Sequence, residues 1–224
     1  MFRASLAAAA AAFVVLGASG AAAATTITST FDTGSDGWRF GAYDNSARQD
    51  VTYDATTGSI TKTHGLAGWG FVAPTAYLGD MSDYLGGSFD FELSANRRSY
   101  DERSLVVLKG AGNQRIFSRW DGLPGSSLAP FSVQLTAANF YVGSIGNVVG
   151  PVSEDLFAAI MADLEFVMVM GDWSSGVDTV RLDNVAMRAA DVTAVPEPAT
   201  WALLIGGFGM AGTALRARRR LQAA

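Results

Sequence analysis

Apolar and polar side chains alternate over residues 88–93, where Phe89, Phe91 and Leu93 each follow a polar residue. Successive side chains of an extended chain point to opposite faces, so this pattern predicts a strand with one buried face. Residues 131–136 alternate in the same way and predict a second strand of this kind.

Three further segments also predict strands. Residues 105–108 and 166–170 are continuous apolar runs, which indicates strands covered on both faces. Residues 180–187 alternate, but the apolar positions change parity after Asp183 and Asn184, which predicts a bulge there. Glycine-rich turn sequences separate these segments, and the whole pattern is typical of an all-β sandwich.

Residues 153–164 depart from this pattern and predict one helix. Ser153 is placed to cap it, and Glu154 and Asp155 favour its positive N-terminal end. A single apolar stripe follows, made of Leu156, Phe157, Ile160, Met161 and Leu164. Such a stripe serves either to bind a partner or to close one end of the sandwich.

The N-terminal residues predict a cleavable secretory signal. Arg3 precedes an apolar stretch over residues 4–17, and the small residues 22–24 suit a signal peptidase. The mature chain is expected to begin near Thr25, and the alternative is an uncleaved helix.

The C-terminal residues combine a stiff linker, an apolar segment and a basic cluster. The linker contains Val195, Pro196, Glu197 and Pro198. The uncharged residues 201–215 would measure about 22 Å as a helix, somewhat less than the ~30 Å hydrocarbon core of a bilayer. Flanking residues and local thinning of the bilayer cover such a difference, so we expect a single transmembrane helix.

The residues around this apolar segment predict its orientation. Trp201 suits the membrane interface, and the arginines keep their end of the chain in the cytoplasm, so the preceding domain faces the periplasm. The basic cluster consists of Arg216, Arg218, Arg219 and Arg220.

Charge and cysteine content limit the function classes. Without Glu197 and the five arginines of the two ends, 11 basic and 20 acidic residues remain, a net charge of −9. Such a domain repels nucleic acid and anionic lipid, so neither is an expected partner. The chain has no cysteine, so burial rather than disulfides must stabilise this exported domain.

The C-terminal pattern resembles the PEP-CTERM sorting signal of exported proteins in Gram-negative bacteria. The resemblance covers roughly residues 195–220. It implies export by the secretion machinery, temporary anchoring in the inner membrane and recognition by an exosortase that processes the chain near Pro196 and Pro198. The alternative is an ordinary C-terminal anchor with a proline linker.

A second resemblance covers most of residues 30–188. Residues 71–80 lead through a Leu-Gly-Asp turn and Tyr84 into residues 86–93, and this stretch resembles the centre of the laminin B domain, also called laminin IV. Other segments follow in that family's order: 31–38, 104–112, 153–164, 166–170 and 180–187. Leu85 is an insertion relative to the family pattern. The resemblance implies a jelly-roll-like β-sandwich related to carbohydrate-binding modules, without enzymatic activity.

Both resemblances together predict the domain organisation. The predicted parts are a signal peptide (1–24), a laminin-B-like domain (25–190), a linker (191–200), a transmembrane segment (201–215) and a basic tail (216–224).

Asp32, Asp36 and Asp183 are candidate ligands of a structural calcium ion. They lie near the two ends of the domain sequence, and the first and last strands of related sandwiches often meet. Carboxylate oxygens suit calcium. The alternative is that these residues only favour tight turns.

Sugar binding is a second candidate chemistry. Trp120 and Trp173 lie beside glycine-rich loops, where an exposed indole would stack on a sugar ring, and Asp172 and Asp178 would accept sugar hydroxyls. The alternative is that these indoles fill the core, as we expect for Trp38 and Trp69.

Catalysis has weaker support in the sequence. His64 is the single histidine, and beside Gly65 it is expected to be a loop residue rather than a ligand. Arg97, Arg98 and Arg103 are expected at a solvated hairpin tip. We therefore expect no catalytic residue, although paired carboxylates leave a glycan-acting enzyme as one alternative.

The sequence thus predicts an exported structural or adhesive protein of the cell envelope or extracellular matrix. The alternatives are a carbohydrate-binding module, for an exopolysaccharide or another matrix glycan, and a glycan-acting enzyme.

Overall fold

The computed structural model describes residues 25–100, 103–119 and 122–191, together with helical positions 205, 207, 208, 212 and 216. The predicted signal peptide, the proline linker after residue 191 and most of the predicted membrane segment lie outside the described residues. Among the described residues, no helix combines the length and the apolar character that a membrane crossing requires. A compact unit spans Ala24–Asp191.

The described part of this unit contains fourteen strands and one α-helix. The strands are β1 (Thr26–Ser29), β2 (Arg39–Ala42), β3 (Arg48–Asp50), β4 (Thr52–Asp54), β5 (Ser59–His64), β6 (Trp69–Val72), β7 (Ser88–Ala95), β8 (Val106–Gly110), β9 (Arg115–Ser118), β10 (Ala129–Gln134), β11 (Phe140–Ser144), β12 (Asn147–Pro151), β13 (Leu164–Met170) and β14 (Asp178–Arg188). The helix is α1 (Glu154–Ala162). Short 3₁₀ turns cover Thr75–Tyr77, Ser82–Tyr84, Ala111–Asn113 and Ala137–Asn139.

The strands form two antiparallel sheets. One has the order β10-β7-β14-β5-β4, with β1 also paired to β14, and the other has the order β12-β11-β9-β8-β13-β6-β2-β3. Apolar side chains from both sheets form one buried cluster. The prediction of an all-β sandwich with one short helix is therefore confirmed.

The alternating segment forms strand β7 as predicted. Phe89, Phe91 and Leu93 are buried, and the polar residues between them are half-buried. The second alternating segment forms β10, which begins two residues earlier than expected and ends at Gln134. Its apolar side chains pair with β7, with Phe131 opposite Phe91.

Strand β14 carries the predicted bulge. Its pairing with β7 shifts between Asp183 and Ala186, and Asn184 has a φ of 48°. Asparagine tolerates this left-handed conformation better than most residues, which explains why the parity change falls at this residue.

Helix α1 begins as predicted. The Ser153 hydroxyl oxygen accepts a hydrogen bond from the Leu156 N–H at 3.2 Å. Phe157, Ile160 and Met161 are buried, so the helix uses its apolar stripe to close the sandwich. The helix ends at Ala162, and Leu164 belongs to β13, not to the helix as the stripe had predicted.

Candidate functional site

A buried polar cluster lies where strand β5 ends against the segment before strand β14. His64 is the last residue of β5 and is buried, which corrects the prediction of a loop position. Its Nε2 atom lies 3.0 Å from the Gly171 carbonyl oxygen and 3.2 Å from Oδ1 of Asp178. Cross-strand pairing between His64 and Asp178 fixes this approach.

The hydrogen bonds of His64 define its tautomer. Nδ1 accepts a hydrogen bond from the Leu66 N–H at 3.2 Å, so this nitrogen carries no proton. The ring proton is therefore on Nε2, which donates to Gly171 and faces the Asp178 carboxylate. The imidazole thus ties two loops together through both of its ring nitrogens.

Asp178 is a buried carboxyl with two different oxygen environments. One oxygen, Oδ2, accepts the Trp173 N–H at 3.1 Å. The other, Oδ1, has no hydrogen bond from the described residues and lies 3.2 Å from His64 Nε2, within ion-pair distance. Burial raises the pKa of Asp178, and the nearby Asp172 carboxylate raises it further, against the lowering effects of Trp173 and His64.

Asp172 is buried beside this pair. Its Oδ2 atom accepts the Gly68 N–H at 2.7 Å and lies 3.5 Å from Nη1 of Arg103. The guanidinium of Arg103 in turn stacks on the Tyr100 ring, 3.7 Å from its centroid. Arg103 is therefore tied to the fold, which corrects the prediction that it lies at a solvated tip.

The predicted sugar-binding residues do not form an exposed patch. The Trp173 side chain is 0% exposed and its indole N–H donates to the Met170 carbonyl at 3.1 Å, so it presents no face to a sugar ring. Asp172 and Asp178 are buried beneath the same loop. The exposed placement predicted for Trp173 is wrong because the loop folds inward over the core. Trp120 lies outside the described residues.

The other two tryptophans of the domain lie close to where they were expected. Trp38 is fully buried and donates through its indole N–H to Ser29 Oγ at 3.0 Å, whereas Trp69 is half-buried.

The buried His64 cluster has the geometry of a structural network that holds three loops. Its titratable groups lie beneath the surface.

The candidate calcium ligands are only partly brought together. Burial raises the pKa of Asp183, and the negative charges of Glu92 and Asp32 raise it further. Asp36 instead uses Oδ2 to accept the Phe31 N–H at 3.1 Å. In the described parts of the chain, no group of three or more His, Asp or Glu side chains is arranged to hold a metal ion. The calcium site stays a prediction.

Glu92 is the residue of this acidic group that the sequence did not reveal. It lies directly opposite Asp183 in the pairing of β7 with β14. The alternation of residues 88–93 placed Glu92 on the outer face of its strand, but the strand register that sets it opposite Asp183 is a tertiary property.

Two family models match the chain. The model described as laminin B (domain IV) matches residues 70–202, and the model of the PEP-CTERM protein-sorting motif matches residues 194–220. No curated protein sequence matches the chain.

A laminin domain is among the solved structures to which the chain is similar. The L4b domain of human laminin alpha-2 has 13% sequence identity and a TM-score of 0.60, covering 74% of this chain and 98% of that domain. The family 11 carbohydrate-binding module of the cellulase Lic26A-Cel5E of Clostridium thermocellum has 13% identity and a TM-score of 0.40, covering 77% and 91%. The N-terminal cellulose-binding domain of Cellulomonas fimi β-1,4-glucanase C has 18% identity and a TM-score of 0.36, covering 73% and 95%.

Proposed function

Because the chain belongs to the laminin B (domain IV) family and ends in a PEP-CTERM protein-sorting motif, we propose that it is an exported, non-enzymatic protein of the cell envelope or extracellular matrix. Its β-sandwich is a structural or adhesive module. The observation that carries the proposal is the presence on one chain of this domain and, at its C-terminal side, the sorting motif.

The sorting motif defines the proposed route. The N-terminal signal directs the chain to the secretion machinery, and residues 201–215 hold it in the inner membrane with the domain in the periplasm. An exosortase then processes the chain near Pro196 and Pro198, and the domain reaches the cell surface or the matrix. The match over residues 194–220 supports this route because it includes the proline motif, the apolar segment and the arginines.

The buried cluster supports a non-enzymatic role. His64 and Asp178 have the residue types of a catalytic pair, but both side chains are buried and hydrogen-bonded to loop backbone. In this position they stabilise loops. Removing one partner would leave a buried polar group unsatisfied, which is a cost in stability and not a change in chemistry.

The experiment that tests the route changes the motif and leaves the domain intact. Pro196, Glu197 and Pro198 are replaced together by alanine, and Thr193→Ala serves as a matched control upstream of the motif. We expect the native chain and the control to reach the cell surface or medium without their C-terminal residues. The triple variant should stay full-length in the inner membrane.

Cell fractionation and mass spectrometry of the intact protein measure this outcome. Extracellular protein that still ends at Ala224 would contradict the proposed processing. Protease resistance of the domain in the retained variant shows that retention is not caused by misfolding.

Carbohydrate binding is a second candidate function of the same domain. The observation that favours it is a pair of open cavities whose linings include hydroxyl, amide and guanidinium groups.

A further inference from the structure

Two cavities lie near the C-terminal end of strand β7. The first has a volume of about 430 Å³ and is lined by Arg97, Arg98, Ser99, Ser174, Ser175 and Gly176. The second has a volume of about 570 Å³, and the residues that line it include Ser94, Asn96, Ser126, Ser127 and Thr179. Asn96 of the second cavity and Arg97 of the first are consecutive residues. Each falls within the size range of small-ligand sites.

The first cavity contains two positive charges that have no carboxylate partner among the described residues. Arg97 and Arg98 are exposed, and in the described chain neither guanidinium has an ion pair or a hydrogen bond. Four other arginines of the domain are paired with carboxylates: Arg39 with Asp50, Arg103 with Asp172, Arg181 with Asp54 and Arg188 with Asp90.

The remaining basic residues of the described domain are also partnered. Lys109 pairs with Glu165, and the others bond to amide, carbonyl or backbone oxygens. These others are Arg48, Lys62, Arg115 and Arg119. In a domain with an excess of acidic residues, two adjacent arginines without a partner are the place where an external anion gains most.

The two loops that form the first cavity are held together. The Ser175 N–H donates to Ser99 Oγ at 2.8 Å, and the Ser99 N–H donates to the Trp173 carbonyl at 2.9 Å. Trp173 is in turn fixed by the buried Asp178. The loop positions are therefore set before a ligand arrives, which lowers the entropy lost on binding.

The second cavity is also built on ordered backbone. The Thr179 N–H donates to Asn96 Oδ1 at 2.7 Å, and the Asn96 N–H donates to the Thr179 carbonyl at 3.0 Å. Hydroxyl and amide groups on such a base can both donate to and accept from the hydroxyls of a sugar.

We infer that these cavities bind an acidic polysaccharide. Arg97 and Arg98 hold one of its carboxylate or sulfate groups, because the planar guanidinium matches such oxygens in paired hydrogen bonds. The serine, asparagine and threonine side chains of the second cavity hold hydroxyls of the neighbouring sugar units. The inference rests on the proposed function, since such a polymer meets the domain only outside the cell.

The net charge of the domain favours a polysaccharide over a membrane surface. An anionic bilayer is a wide charged surface that would face many acidic residues of the domain at once, whereas a single sugar chain is narrow enough to contact the arginines locally. A phospholipid headgroup held in the first cavity would also leave the hydroxyl and amide groups of the second cavity without a partner.

The test measures binding of the purified full chain in non-ionic detergent to immobilised polygalacturonate, dextran sulfate and neutral dextran. We expect binding to the two anionic polymers and not to dextran, with weaker binding at high salt. The double variant Arg97→Ala, Arg98→Ala should lose about tenfold or more in affinity, because it removes charge-assisted hydrogen bonds.

The control is the double variant Arg39→Ala, Arg48→Ala, which removes the same charge at the β2 and β3 strands. It should bind like the native chain, and matched melting curves show that both variants fold. Equal losses in both double variants, or no loss in the first, would overturn the inference. The inference would also be overturned if the chain bound neither of the two anionic polymers, or if it bound neutral dextran equally well.

A further arm uses vesicles containing phosphatidylglycerol. Binding to these vesicles that depends on Arg97 and Arg98, without binding to either polysaccharide, would assign the site to lipid instead. Because the assay uses purified protein, its failure is distinct from failure of the sorting route, which fractionation of cells tests.

Discussion

Asp183 illustrates how one residue depends on its neighbours across the sheet. Its side chain is buried, its Oδ1 accepts the Asn184 N–H at 2.7 Å, and Glu92 lies directly opposite. Like charges placed opposite one another destabilise a sheet. The raised pKa of Asp183 means that the native state binds its proton more tightly than the unfolded chain does.

The sign of the pH dependence follows from this difference. As the pH rises through 3.8, the usual pKa of an aspartate, the unfolded chain loses this proton first. The free energy of unfolding therefore falls until the Asp183 carboxyl of the native state also ionises. The deficit then persists at neutral pH. Asp183→Asn keeps an oxygen for the Asn184 N–H and removes the charge.

We therefore predict that Asp183→Asn increases the free energy of unfolding at pH 7 by about 0.2–1 kcal/mol. The gain should vanish below the usual pKa of 3.8, where the carboxyl is protonated in both states. Urea unfolding at the two pH values measures it. Glu92→Gln relieves the same repulsion, so the gains of the two variants should not be additive.

Chelation provides the control for the calcium hypothesis. A metal ion that binds only the native state stabilises it. If Asp183 ligates calcium with Asp32 and Asp36, Asp183→Asn should therefore lower the melting temperature at neutral pH. Excess chelator should likewise lower the melting temperature of the native chain. An unchanged melting curve with chelator would remove calcium from the description of the domain.

At the scale of elements, strand β7 joins the two halves of its sheet. It pairs with β10 on one side and with β14 on the other. The Phe91 ring is buried and stacks on Phe131 of β10 at 5.9 Å between centroids. The same ring lies 5.7 Å from Phe89, so one strand supplies a continuous aromatic layer to the core.

Truncation of Phe91 to alanine should lower the free energy of unfolding by about 3–5 kcal/mol, because it removes buried area and leaves a cavity. Ser132→Ala on the exposed face of β10 is the matched control and should change stability by less than about 0.5 kcal/mol. Chemical denaturation of both variants measures the difference. A loss below about 1 kcal/mol for Phe91→Ala would contradict its role in the core.

Helix α1 contributes at the same scale by covering one end of the sandwich. Its approach to β8 is close, since a Cβ added to Gly110 would lie 2.8 Å from the Cα of Ile160. Glycine at this position therefore allows the helix to pack against the strand.

At the scale of the whole molecule, the buried apolar side chains of the described residues lie between Phe31 and Met187. These positions fall inside the compact unit Ala24–Asp191. The domain thus has its own core, as a chain of this size without disulfides requires.

Removal of residues 192–224 should therefore leave the melting temperature of the domain within about 2 °C of that of the full chain, because the buried side chains stay in place. Differential scanning calorimetry of both forms measures the difference, and a truncation within strand β14, which removes buried residues, is the destabilised control. A large decrease on removal of residues 192–224 would show that the domain depends on its C-terminal segment.

The local pattern of the sequence determined five of the fourteen described strands and the helix. Alternation defined β7 and β10, the parity change at Asp183 and Asn184 defined the bulge, and Ser153 defined the start of the helix. These features depend on side chains only a few positions apart, so their physical causes are readable in the sequence. The two family resemblances were readable for the same reason, as ordered motifs along the chain.

The tertiary structure alone decided which polar and aromatic residues are accessible. His64 bonds to Gly171, 107 positions away, and the loop that brings them together also buries Trp173 and Asp178. Strand register set Glu92 against Asp183, and two loops 76 positions apart joined Ser99 to Ser175 beside the unpaired arginines. Such contacts depend on how strands and loops meet in space, and no local periodicity encodes that.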